Sequence, residues 1–241
     1  MNKKSVLMFL VIAALFALMT QSALAYTVTA TGNGGDAGNG YGPYQTGIGG
    51  EFTFIAGDGL QFVLGSYGAN AKGIVQDGTF QTFCLETNEH IWPNSVNQAV
   101  LNTGAVSGGV GGATNGFDPI SIGTAWLYSQ FAQGTLAGYD YSAVGRKTSA
   151  AALQNTIWWL EGEQTDPGNT NIFRNAVLGE YTTANAAMAN SNGAFGVKVL
   201  NLTVNGEARQ DMLVATPIPA AIWLFGAGLL GLVGVRRRFT A

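Results

Sequence analysis

Cysteine and histidine are nearly absent: 241 residues carry one of each, Cys84 and His90. A single cysteine excludes a disulfide framework within the chain, and leaves an intermolecular disulfide, a free reactive thiol or another covalent fate for Cys84. Charge is sparse too, at 10% of residues. Between residues 26 and 211 lie all 14 acidic residues but only 6 of the 11 basic ones, a formal charge of −8. Nucleic-acid binding needs a basic surface to displace counterions from phosphates, and that stretch offers none. What is plentiful is Gly (35 residues) together with Asn, Thr, Ser and Gln. Aromatic and branched residues recur among them, so the composition suits a turn-rich folded body rather than a disordered one.

Both ends read as membrane-directed. Lys3 and Lys4 precede an uncharged, mostly apolar run from Val6 to Met19, and Ala23-Leu24-Ala25 supplies small residues for cleavage before Tyr26. Residues 1–25 are therefore expected to be a signal peptide. Met212 to Val235 carries no charged side chain, and Arg236, Arg237 and Arg238 follow directly. A helix there is long enough to span most of a bilayer core, and the arginines would hold its end in the cytoplasm with the body exported. This tail, with Pro217 and Pro219 in Pro-Ile-Pro-Ala ahead of the apolar run and the Arg cluster, resembles a PEP-CTERM sorting tail of the Pro-Leu-Pro-Ala variant, with Ile218 in place of Leu. The resemblance implies a Gram-negative bacterium, exosortase-type sorting machinery as a partner, a membrane-anchored stage, and delivery to the cell surface or an extracellular polysaccharide matrix.

The remainder divides into a Gly/Asn-rich lead-in (26–48), a body (49–211) and the tail (212–241). In the body, Glu51–Ile55, Leu60–Leu64 and Phe80–Leu85 are short runs bounded by Gly and Asp and read as strands, which puts Cys84 near a strand end. Residues 94–115 read as a surface loop. Asp118-Pro119 reads as the cap and first turn of a helix running through Ala125, Trp126 and Phe131. A second helix is expected from Thr148 to Gly162, with Leu153, Ile157 and Leu160 on one face, and a third from Thr170 to Asn190. Strands return at Gly196–Val204 and Glu207–Val214. Strands, helices, then strands predict an α+β body: a mixed, mainly antiparallel β-sheet with a helical insertion, flanked by a signal helix and a C-terminal transmembrane helix.

Two segments stand out. Phe83-Cys84-Leu85-Glu86 places the lone thiol between apolar residues, and Leu153-Gln154-Asn155-Thr156-Ile157-Trp158 places a carboxamide one helical turn before Trp158. Taken together and in this order, they resemble the paired motifs of bacterial surface thioester domains. The resemblance extends loosely from Gly49 to Asn205. It implies an intramolecular Cys84–Gln154 thioester, with Phe83, Leu85, Glu86, Leu153, Ile157 and Trp158 around it and no cofactor. Burial among Phe83, Trp158 and Trp159 would protect such a bond from hydrolysis. The family's use of the bond is single-turnover covalent adhesion to an amine or hydroxyl on another cell, a matrix polysaccharide or a protein, so a turnover enzyme is not expected.

Other readings are weaker on chemistry. A cysteine hydrolase would need Cys84 activated by His90, and neither an orienting third group nor an oxyanion hole is identifiable. Glu86, Glu89 and His90 are candidate proton handlers, but with Cys84 they lack a recognisable metal-ligand spacing, so no metal is expected. Gly108 to Gly112 lacks the Lys-Ser/Thr of a phosphate loop. Asn201-Leu202-Thr203 fits a short glycosylation sequon. The main alternative is a passive surface or biofilm-matrix protein that forms no covalent bond.

Overall fold

The computed structural model describes residues 25–31, 42–46, 49–64 and 78–216. Alternation along the strands builds the fold. β1 (Ala25–Ala30) turns Tyr26, Val28 and Ala30 to one side. β3 (Gly49–Gly57) contributes Phe52 and Phe54 to the same cluster, β4 (Thr79–Thr82) contributes Phe80, β5 (Val96–Asn102) Ala99, β8 (Val197–Val204) Leu200 and Leu202, and β10 (Met212–Ala215) Met212 and Val214. A period of two fits a pleated sheet with one apolar face. The strands pair antiparallel in the order β10-β8-β5-β1-β3, with β4 also on β3.

The ends of this sheet meet. Just past β4, Leu213 N donates to Phe83 O and Leu85 N to Asp211 O, both at 3.1 Å, and Cys84 bridges Met212. β4 and its continuation thus pair with β10, closing the sheet into a six-stranded barrel around the apolar cluster. The hydroxyl of Tyr128 lies 2.8 Å from Gln81 O and 3.0 Å from Leu213 O, one on each side of this seam.

The helices cover the outside of the seam. α2 (Ile122–Ala132) and α3 (Arg146–Leu160) bury Leu127, Phe131, Leu153 and Ile157 against Phe83, Leu85, Val199 and Leu213, the outward-facing residues of the strands beneath. Phe83 packs edge-on against Phe131 at 4.9 Å between ring centres. α4 (Ile172–Tyr181) is capped by Asn171, whose Oδ1 accepts from Phe173 N and Arg174 N. The α+β class and the mainly antiparallel sheet agree with expectation.

Several boundaries differ from it. The stretch 26–48, expected as a loose lead-in, supplies β1 near the middle of the sheet and β2 (Tyr44–Thr46), which pairs with the start of β3. Leu60–Leu64 is not a strand: Gly59, at φ 87°, turns the chain into α1 (Leu60–Val63), which plugs Leu60 into the barrel core and leaves Phe62 outside. Residues 94–115 hold β5 and β6 (Gly104–Val106) rather than one loop. Asp118-Pro119 closes β7 (Phe117–Pro119), and the helix begins three residues later, at Ile122 behind Ser121, whose Oγ accepts from Thr124 N at 3.1 Å. The third helix stops at Thr182 (φ 67°) and resumes as α5 (Ala184–Ala187). The last expected strand is two, β9 (Glu207–Ala208) and β10, and β10 lies beyond residue 211, where the body is expected to end. Asn201 of the sequon is buried and donates to Gly104 O, which leaves its amide unsuited to carry a glycan.

Among the described residues no helix is long and apolar enough to cross a membrane. The signal segment up to residue 24 and the tail with Pro217, Pro219, Arg236, Arg237 and Arg238 lie outside the described residues.

Candidate functional site

The β3–β4 ladder runs from Ile55↔Thr79 to Phe52↔Thr82. Continued by two residues, its register would set Gly50 opposite Cys84. Instead the strands part there, and the Gln154 carboxamide from α3 lies between them. Gly50 N and Cys84 N each donate to Gln154 Oε1 at 3.3 Å, and Gln154 Nε2 donates to Cys84 O at 2.9 Å. The backbone of Cys84 therefore holds both ends of the amide. Gly50 has φ 106°, a conformation open to glycine and strained for other residues, and it aims its N–H at the carboxamide.

The helix comes this close because Gly49 has no side chain. A Cβ there would sit 2.5 Å from Trp158 Cη2 and 2.8 Å from Gln154 Cγ. Trp158, one turn after Gln154, joins the barrel-core cluster that holds Cys84, and its Nε1 is buried with no hydrogen-bond partner. Cys84 and Gln154 are 2% and 1% exposed, so bulk water is kept from the pair.

A buried ion pair fixes α3 against β3. Arg146 Nε lies 3.1 and 2.9 Å from the two Glu51 oxygens and Nη2 lies 2.6 Å from Oε1, with both side chains fully buried. Tyr139 donates to Glu51 Oε2 at 2.6 Å, and the Arg146 guanidinium lies 4.8 Å from the Tyr44 ring centre. The two planar groups meet side-on, which is the geometry that best repays the desolvation of both charges. Glu51 directly follows Gly50, so this clamp anchors the strand next to the Gly50 N–H.

The electrostatics around Cys84 favour the thiol over the thiolate. Burial raises its pKa, and the neighbouring Glu86 carboxylate raises it further. Glu86 is buried beside Asp211 and Glu89, and burial followed by those two charges pushes its own pKa well up.

Of the side chains expected around Cys84 and Gln154, Trp158 stands beside the pair. Phe83 and Leu85 are buried on the helix-side core, because residues adjacent to Cys84 along an extended chain face the other way, and Leu153 and Ile157 of α3 pack into that same core. Trp159, also expected as a wall, joins that helix-side core. Glu86 turns toward Gln210, whose Nε2 donates to its Oε2 at 2.8 Å. His90 is exposed, its Nδ1 2.6 Å from Glu89 O, and is not set against buried Cys84 as a hydrolase base. Gly49, Gly50, Glu51, Tyr139 and Arg146 were not anticipated. The Gly49-Gly50 pair at the head of a strand was the one available signal, since it marks a close backbone approach.

No family model, curated protein or solved structure matches this chain. The geometry of this pair is thus the ground on which a function rests.

Proposed function

We propose that this is an exported bacterial protein of the cell surface or extracellular matrix whose body stores an intramolecular Cys84–Gln154 thioester for covalent adhesion. The observation that carries the reading is the Gln154 carboxamide, buried beside Cys84 with its oxygen received by two backbone N–H groups. An attacking sulfur turns that oxygen into an oxyanion, and paired N–H donors are the arrangement that stabilises one. The Cys84 sulfur forms a bond to Gln154 Cδ, the C–N bond breaks, and the thiol proton leaves with the nitrogen as ammonia. Holding both groups in one dry cleft lowers the entropic cost of the attack and shields the product from hydrolysis.

In capture, an amine or hydroxyl on another cell, a matrix polysaccharide or a protein attacks Gln154 Cδ. Gln154 becomes bonded to the partner, and Cys84 leaves as the thiol carrying the partner's proton. One bond is spent per event, so the protein is an adhesin and not a turnover enzyme. The signal-like N-terminus and the sorting-like tail suit export, exosortase-type handling and a transient membrane anchor.

Intact mass of the protein from its native host tests this. The chain should be lighter than its sequence by one ammonia, methylamine should add to Gln154, and Cys84 should resist iodoacetamide until the bond opens. Cys84→Ala and Gln154→Ala should each show their full mass. A non-covalent surface protein is the second reading, favoured by the Gln154 amide having hydrogen bonds at both its oxygen and its nitrogen. Full unmodified mass in native and unfolded protein alike would establish that reading instead.

A further inference from the structure

We propose that Glu86, Glu89 and Asp211 form a binding site for a hard divalent cation of the calcium class. One carboxylate oxygen from each lies within 4.8 Å of those of the other two. Oxygens on opposite sides of a calcium ion, each bonded at about 2.4 Å, are separated by about that distance. All three ligands are oxygen, with no nitrogen or sulfur in the group, which suits calcium better than zinc or copper.

Acidic groups gather on many surfaces without binding anything, but two features separate this one. Glu86 is 2% exposed, and its Oε1 is buried with no hydrogen-bond partner, while Oε2 already accepts from Gln210 Nε2 at 2.8 Å and Asp211 N at 3.3 Å. Glu89 Oε2 is likewise buried and unpartnered. A buried carboxylate oxygen with nothing to accept costs stability unless a cation or proton meets it. Among the described residues, no Lys or Arg forms an ion pair with any of the three. Asp211 is fixed in place by Val106 N, which donates to Oδ2 at 2.6 Å. The cation would join the strand leaving Cys84 to the start of β10 and so brace the seam where the barrel closes. This site stands on its own geometry and does not depend on a thioester.

Calorimetric titration of calcium chloride into the full chain, purified in detergent and stripped with chelator, tests the site. One equivalent should bind, with a matching rise in the thermal midpoint. Glu86→Gln should weaken binding by at least about tenfold, the loss that removing even an outer-sphere partner causes at metal sites. Glu89→Gln, at the more exposed edge, guards against a misfolded first variant and should weaken binding in the same direction. Absence of binding up to about 10 mM calcium, beyond the weakest extracellular modules, overturns the proposal. So does equal binding by the wild type and both variants.

Discussion

Gln154 and Cys84 are locked to each other through the Cys84 backbone: its N–H donates to the Gln154 oxygen at 3.3 Å and its C=O accepts from the Gln154 nitrogen at 2.9 Å. A carboxamide held at both its oxygen and its nitrogen has its orientation fixed against the Cys84 backbone. The second donor, Gly50 N, comes from a different strand. The placement of the carboxamide between its two donors therefore depends on how closely β3 and α3 approach.

Gly49 controls that approach. Gly49→Ala would drive a methyl into Trp158 and the Gln154 stem. Overpacking of this kind typically costs about 1–3 kcal/mol, to be read from a denaturant midpoint. If the carboxamide is displaced from its donors, thioester formation should slow by about 10²- to 10³-fold, the usual effect of losing an oxyanion donor. Following ammonia loss by intact mass after refolding measures it. An unchanged rate would mean that the donors have no part in the chemistry.

The Glu51–Arg146 clamp carries the second prediction. Arg146→Met leaves Glu51 buried without its cation and should destabilise the protein by about 3–5 kcal/mol. Replacing both, as Glu51→Leu with Arg146→Met, should cost less than either single change, since no lone charge stays behind. Chemical denaturation of the three variants decides the matter. A double variant as unstable as the two single effects summed would show that the pair is more than a mutually compensating ion pair.

Glu161 gives a pH dependence. Burial pushes its pKa from 4.5 up to about 7, outweighing the Ser121 N–H, which donates to Oε1 at 3.2 Å and favours the ionised form. The folded protein thus holds this proton more tightly than the unfolded chain does. The stability it contributes is whole below about pH 4.5, is lost as pH rises to about 7, and stays lost above that. Glu161→Gln can still accept from Ser121 N and carries no charge. Urea midpoints at pH 5 and pH 8 should therefore differ less in the variant than in the wild type. The raised Glu86, Glu89, Asp118 and Asp211 carboxyls push in the same direction and leave a residual slope.

The sequence was most legible where side-chain period and burial agree. Leu153, Ile157 and Leu160 mark α3 within two residues of its observed ends, and Phe52 and Phe54 mark β3. β5 was hidden because its polarity runs backwards: Asn97 faces inward, fully buried, while Val96 is 63% exposed. Asp118-Pro119 misled because the same dipeptide suits a short edge strand as well as a helix start. Cys84 and Gln154 could be paired from their motifs, but Gly50, Glu51 and Asp211 could not. Their roles come from strand register and barrel closure, which place residues 88 to 105 positions apart side by side. No local pattern encodes that.

The last prediction concerns what the bond would do for the fold. A thioester would tie Cys84, two residues past β4, to the middle of α3 and close a loop of 70 residues. On the chain-entropy account of crosslinks, that constrains the unfolded state by about 4 kcal/mol. Opening the bond with methylamine should therefore lower the denaturant midpoint substantially while leaving the sheet and the Arg146–Glu51 clamp in place. Cys84→Ala should match the opened form, because neither has the crosslink. Equal midpoints for untreated and methylamine-treated protein, where mass confirms that the bond was present and then opened, would show that strain from the crosslink in the folded state offsets its constraint on the unfolded chain. The thioester would then serve capture alone and add nothing to the stability of the body.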